Sequence, residues 1–187
     1  MIQYADPSAT CLTLPCTGTG LDPSDYFTSI SAKAGHGKAG TLRGKTVRYT
    51  LTLVPRKDQP SPALPGSLDL RVNLSPYLEV TKAGVKGNAG GSAALTVDIN
   101  RDEDTVTWEN VGAALLGVGT RKAAPQKLTF PIVATLDEDT PKGADIQIQA
   151  YLVDDSGDVC EVLVAGTEVT VREPVRVKDS KRGGRHD

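Results

Sequence analysis

The stretch Thr46-Val47-Arg48-Tyr49-Thr50-Leu51-Thr52-Leu53-Val54 constrains this chain more than any other. Val47, Tyr49, Leu51 and Leu53 fall on one side of an extended strand, and Thr46, Arg48, Thr50 and Thr52 on the other. A period of two in β-branched and aromatic company is the pattern of a half-buried strand. The pattern recurs. Ser67–Leu74 places Leu68, Leu70, Val72 and Leu74 on one face, and Ala93–Ile99 alternates through Leu95, Val97 and Ile99. Asp145–Val153 does the same with Ile146, Ile148, Ala150 and Leu152. Shorter strands are expected at Tyr77–Val80, at Thr105–Trp108 with the single tryptophan, at Val159–Val164 and at Thr167–Val171.

Between these runs lie turn signals: the proline-rich Arg56–Gly66, Lys86–Ser92, the polar NRDED at 100–104, and Asp154–Gly157. Gly112–Gly119 reads as one helical turn or a loop. Lys127–Leu136 holds Leu128, Phe130, Ile132 and Ala134 in register, but Pro131 inside it predicts an edge position or a bulge. No long amphipathic helix is encoded. The fold class is therefore all-β, and uneven connections favour a β-sandwich of about seven to ten strands over a closed barrel. Aromatics are only 4% of the 187 residues, so the core rests on Val, Leu, Ile and Ala. The 19 glycines and 12 prolines supply the turns.

Residues 1–40 differ in texture from the remainder, being rich in Thr, Pro and Gly, with a short alternation at Cys11–Leu14 and a further strand signal at Tyr26–Ile30. They read as an N-terminal arm or edge-strand extension, followed by a sandwich over 41–175 and a polar, disordered tail over 176–187. The opening MIQYADPSAT has neither the basic nor the apolar region of a secretory signal. The chain is either retained in the cell or a processed piece. Apolar runs such as Val111–Val118 are too short to span a bilayer. A net charge of −2 gives no overall field for attracting nucleic acid.

The order of segments carries a resemblance. Gly44-Lys45-Thr46-Val47-Arg48-Tyr49-Thr50-Leu51-Thr52 resembles the opening G-x-x-V-x-Y-T-L-T strand of a conserved repeat domain of large cell-surface proteins. Ser75-Pro76-Tyr77-Leu78-Glu79-Val80 is similar to that family's L-P-x-x-L-x-V phrase, Val106-Thr107-Trp108 to its V-T-W, and Leu128–Val133 to its L-T-F-x-V-x-V. The likeness covers residues 41 to 172. It departs where Arg56–Gly66 replaces the Asn-Gly turn after the first strand, and at Pro131. The resemblance implies an immunoglobulin-like sandwich, a structural or adhesive role outside the cell, and no enzyme activity.

Candidate chemistry is sparse. Gly35-His36-Gly37-Lys38-Ala39-Gly40 spells G-x-G-x-x-G, but a dinucleotide site needs a helix to follow at once, and a strand follows. The two histidines, His36 and His186, lie in a glycine loop and in the tail, without an orienting partner for catalysis. Acidic clusters at Asp102-Glu103-Asp104, Asp137-Glu138-Asp139, and Asp154, Asp155 and Asp158 offer oxygen ligands. The last is the candidate calcium site, although the regular loop spacing ending in a bidentate Glu is missing, and acidic turns are ordinarily just solvated. Asn73-Leu74-Ser75 is a glycosylation sequon, with Pro76 directly behind it; a chance match is the competing reading. Cys11 and Cys16 could close a small disulfide loop in an oxidising compartment. Cys160 is either a buried thiol or a bond to the arm. Pro62-Ala63-Leu64-Pro65 fits P-x-x-P but reads first as a loop between strands, and the basic tail at Lys178, Lys181, Arg182 and Arg185 reads as a solubilising terminus.

The function expected is a non-enzymatic structural or adhesive module of an extracellular or surface assembly. It would engage protein partners, including copies of itself, through edge strands and the arm. Alternatives are a virion or appendage coat subunit made in the cytoplasm, and a calcium- or carbohydrate-binding module. Removing residues 1–40 is expected to impair assembly and leave the sandwich folded.

Overall fold

The computed structural model describes residues 22–35, 41–59, 63–87, 95–118, 124–154, 159–161 and 169–172. A short helix α1 (Pro23–Tyr26) leads into β1 (Phe27–Ala34), followed by β2 (Thr41–Leu42), β3 (Thr46–Pro55), β4 (Asp69–Leu74), β5 (Leu78–Ala83) and β6 (Lys86–Gly87). Then come β7 (Val97–Asn100), β8 (Thr105–Trp108), helix α2 (Val111–Leu115) and β9 (Leu128–Leu136). The last segments are β10 (Asp145–Ile146), β11 (Ile148–Val153), β12 (Val159–Glu161) and β13 (Val169–Arg172).

Two five-stranded antiparallel sheets form the body. The first runs β1-β3-β9-β5, with β6 also on β9; the second runs β12-β11-β4-β8-β7. A small sheet, β10-β13-β2, lies beside them, and in it β2 and β13 pair in parallel, Thr41 with Val171. The alternation read in the sequence sets the faces. Val47, Tyr49, Leu51 and Leu53 of β3 are fully buried, as are Leu68, Leu70 and Val72. Leu128, Phe130, Ile132, Ala134 and Leu136 line the inner face of β9. Each such aliphatic contributes about 1.5–3 kcal/mol relative to exposure. The architecture is an immunoglobulin-like all-β sandwich.

Trp108 joins the two layers. It belongs to β8 in the second sheet, yet its ring stands edge-on to Phe130 of the first, with centroids 5.3 Å apart at 68°. Its indole N–H donates to the Gly84 carbonyl at 3.0 Å, so the one polar atom of the ring is satisfied inside the core. Helix α2 closes one end, with Val111 and Leu115 fully buried. Its start lies hard against the loop before β4: Gly112 N–H donates to Leu68 O, and Ala113 N–H to Gly66 O. A Cβ on Gly112 would stand 1.8 Å from the Pro65 carbonyl oxygen, which leaves room only for glycine.

Two expectations are corrected. Strand β9, read as an edge or bulged strand because of Pro131, is central, with β3 on one side and β5 and β6 on the other. The Pro131 carbonyl accepts from Gly84 N–H at 3.1 Å, so the residue's polar groups face the neighbour that breaks between Ala83 and Lys86. The missing proline donor falls in that gap, and the bulge lies in β5, between Val80 and Lys82. Lys86 and Gly87, read as turn, pair as β6 with Thr129 and Leu128.

Within the N-terminal stretch, read as an arm or an edge-strand extension, one strand joins the sandwich. Strand β1 pairs with β3 from Phe27↔Pro55 to Ala34↔Tyr49 and buries Phe27, Ile30 and Ala32 in the core. Removing residues 1–40 would therefore uncover β3, whereas removal of 1–21 leaves β1 in place.

Candidate functional site

Backbone groups rather than a catalytic constellation dominate the exposed chemistry. Strand β1 forms one margin of the first sheet, and its outer side has no strand partner among the described residues. Gly35 N–H donates to the Arg48 carbonyl, on the β3 side. Because successive residues of a strand point their N–H and C=O to alternate sides, Lys33, Ser31 and Ser29 also face β3. Ile30, Ala32 and Ala34 therefore direct theirs away from the sheet. Their side chains are buried or half-buried, so the outward main-chain groups stand on a strand fixed by its own core contacts.

This margin lacks the usual protections. Eight residues, FTSISAKA, contain no proline or glycine and one charge, Lys33. The other margin of the first sheet differs: β5 is bulged at Val80/Lys82 and interrupted before β6. In the second sheet β7 has four residues and β12 three. Strand β1 is the longest of these margins, and its one register irregularity, between Phe27 and Ser29, lies at its start and leaves Ile30–Ala34 regular.

The residues singled out in the sequence are scattered. Asp154 follows β11 and is half-buried, whereas Asp155 and Asp158 lie outside the described residues. No group of three or more His, Cys, Asp or Glu among the described residues is placed to hold a metal. Cys11, Cys16, His36 and His186 also lie outside them; Cys160 sits in β12 opposite Leu152. Beyond the undescribed end of the G-x-G-x-x-G motif come β2 and β3. Asn73 lies within β4, between Thr105 of β8 and Gln149 of β11. It is half-buried, and its Oδ1 has no hydrogen-bond partner.

The two described acidic turns are built differently. In the β7–β8 turn, Asn100 Oδ1 accepts from the N–H groups of Asp102 and Glu103 at 3.1 and 3.3 Å, and Glu103 meets Arg71 at 3.4 Å. The turn after β9 rests on the fully buried Thr140, whose hydroxyl donates to Asp137 O at 2.7 Å and whose carbonyl accepts from Arg43 Nε at 2.6 Å. Gly44, at φ +66°, brings its N–H onto Leu136 O at 2.7 Å and locks the same end.

One buried polar group had no sequence signal beyond its place in the alternation. The Tyr49 hydroxyl is buried without a hydrogen-bond partner, and desolvation pushes its pKa far above the ordinary phenol range. No helix among the described residues is long and apolar enough to cross a membrane.

No family model and no curated protein matches the sequence. Solved structures do resemble the fold. The N-terminal domain of an adhesin of Streptococcus gordonii superposes with a TM-score of 0.55 at 13% identity, over 76% of this chain and 32% of that one. A C-terminal fragment of the major pilin of Streptococcus agalactiae gives 0.50 at 13%, over 76% and 55%. The pilus backbone of Streptococcus pneumoniae gives 0.50 at 14%, over 70% and 33%. The chain thus spans about a third to a half of the length of these structures. At such identities the likeness shows the fold: an immunoglobulin-like sandwich of the kind found in pilins and adhesins.

Proposed function

We propose that this chain is a non-enzymatic structural or adhesive module of a surface or extracellular assembly, joined to neighbouring protein chains by strand addition along β1. The observation that carries the reading is the open margin of β1, where the outward main-chain groups of Ile30, Ala32 and Ala34 meet no partner strand among the described residues. An extended segment placed there gains a ladder of main-chain hydrogen bonds without rearranging the acceptor. The proposed donor is the N-terminal segment of a second copy, in which Cys11–Leu14 carries a short apolar alternation. The occurrence of the same fold in two pilins and an adhesin supports the reading at the level of architecture.

The test is Ala32→Pro. Proline removes an N–H that points away from β3, a placement an edge strand tolerates. The variant is expected to keep its circular dichroism and melting temperature while losing, at physiological salt, most of its concentration-dependent association in sedimentation velocity. Truncation of residues 1–21 is expected to do the same. A folded Ala32→Pro protein that associates like the parent overturns the proposal.

A further inference from the structure

The outer face of the first sheet carries a second feature. Arg48 on β3, Lys82 on β5 and Lys86 on β6 surround an open concavity of about 470 Å³, floored by the half-buried Thr50, Pro131 and Val133. Register places them there: Arg48 stands opposite Val133, which stands opposite Lys82, while Lys86 stands opposite Thr129. Lys33 flanks the group across from Thr50. The sole ion pair found among the described residues is Arg71–Glu103, so none of these four cations has a carboxylate partner there. The gap between β5 and β6 that accommodates Pro131 also hollows the face.

We propose that this basic concavity receives the Asp137-Glu138-Asp139 turn of a second copy. The proposal rests on the assembly reading above but uses a different surface. Three consecutive exposed carboxylates stand on that turn, and none forms an ion pair among the described residues. The turn is already fixed by Thr140, Arg43 and Gly44, so docking it costs little conformational entropy. The β7–β8 turn is the weaker candidate, because Glu103 is already engaged by Arg71. Asp137, just past the end of β9, lies four and six positions from Val133 and Pro131 on the floor, roughly 13 and 20 Å at the rise of a strand. The turn is thus placed to meet the concavity of a neighbour rather than its own. A contact between the end of one copy and the face of the next is heterologous. It propagates as an open chain rather than closing a dimer.

The experiment uses the full-length chain carrying Ala32→Pro, so that strand addition is blocked and association reports on this contact. One variant adds Arg48→Glu and Lys82→Glu; the other adds Asp137→Lys and Asp139→Lys. All four positions are exposed, and circular dichroism checks that each protein is folded. In low salt the Ala32→Pro parent is expected to associate weakly, and each reversed variant at least about 10-fold more weakly. An equimolar mixture should regain association, since each reversed surface then meets its complement. High salt should abolish it. A monomeric parent, a reversed variant that associates like the parent, or a mixture that stays monomeric overturns the proposal. If Ala32→Pro leaves the native assembly unchanged while charge reversal disrupts it, strand addition falls and this contact stands.

Discussion

Replacing Tyr49 by Phe should stabilise the protein, and by more as the solution becomes alkaline. The ring sits on the inner face of β3 opposite Ala34 and Ile132, and is fully buried. Phenylalanine keeps that ring and deletes only a hydroxyl without a partner. Burying such a group costs about 1–3 kcal/mol, so the variant should gain about 1 kcal/mol or more at neutral pH. Burial raises the phenol pKa in the folded protein, so above about pH 10 the unfolded chain releases a proton that the folded one retains. The folded state then binds more protons, and stability falls with rising pH, by about 1.4 kcal/mol per unit for this group. Below the unfolded pKa the contribution is constant. Urea unfolding followed by circular dichroism from pH 7 to the onset of alkaline denaturation, on both proteins, isolates it, because the other titrating groups are common to both. The stability difference should be flat to about pH 9–10 and then widen in favour of Tyr49→Phe. Parallel curves, or a variant less stable than the parent by about 1 kcal/mol, would mean that the hydroxyl has a partner, and would refute the reasoning.

Two more perturbations test the packing. Gly112→Ala puts a methyl group 1.8 Å from the Pro65 carbonyl oxygen, so α2 must separate from the loop before β4; a loss of about 3 kcal/mol is expected in urea unfolding, and a neutral result would show that the approach is not close. Trp108→Phe removes the indole bond to Gly84 and part of the contact with Phe130; a loss of about 2–4 kcal/mol is expected by calorimetry, against no change if the two sheets are held together elsewhere.

The long alternations gave away the sandwich because each inward side chain sits at a fixed position in a strand buried on one face. Val47 to Leu53 and Leu68 to Leu74 show this directly. Pro131 misled for a physical reason. Its cost depends on which neighbour faces the missing donor, and that neighbour breaks between Ala83 and Lys86, residues nearly fifty positions away. The two-residue strands β2 and β6 are too short to show a repeat, and β10 falls within the longer Asp145–Val153 alternation rather than reading as a strand of its own. The margin at β1 was partly legible, since Tyr26–Ile30 already read as strand. That the margin is open among the described residues is a matter of topology, visible only once β1 is known to pair with β3 on one side alone. The basic concavity was not legible at all. Arg48, Lys82 and Lys86 come from three strands and meet only through the register on β9.

Amide hydrogen exchange read residue by residue along β1 tests the central claim most directly. In the dissociated chain, Ser31 and Lys33, which face β3, should be protected, and Ile30, Ala32 and Ala34 should exchange fast. In the assembled material, Ile30, Ala32 and Ala34 should become protected as well. Protection of those three amides before assembly, or their continued fast exchange after it, contradicts strand addition at this margin.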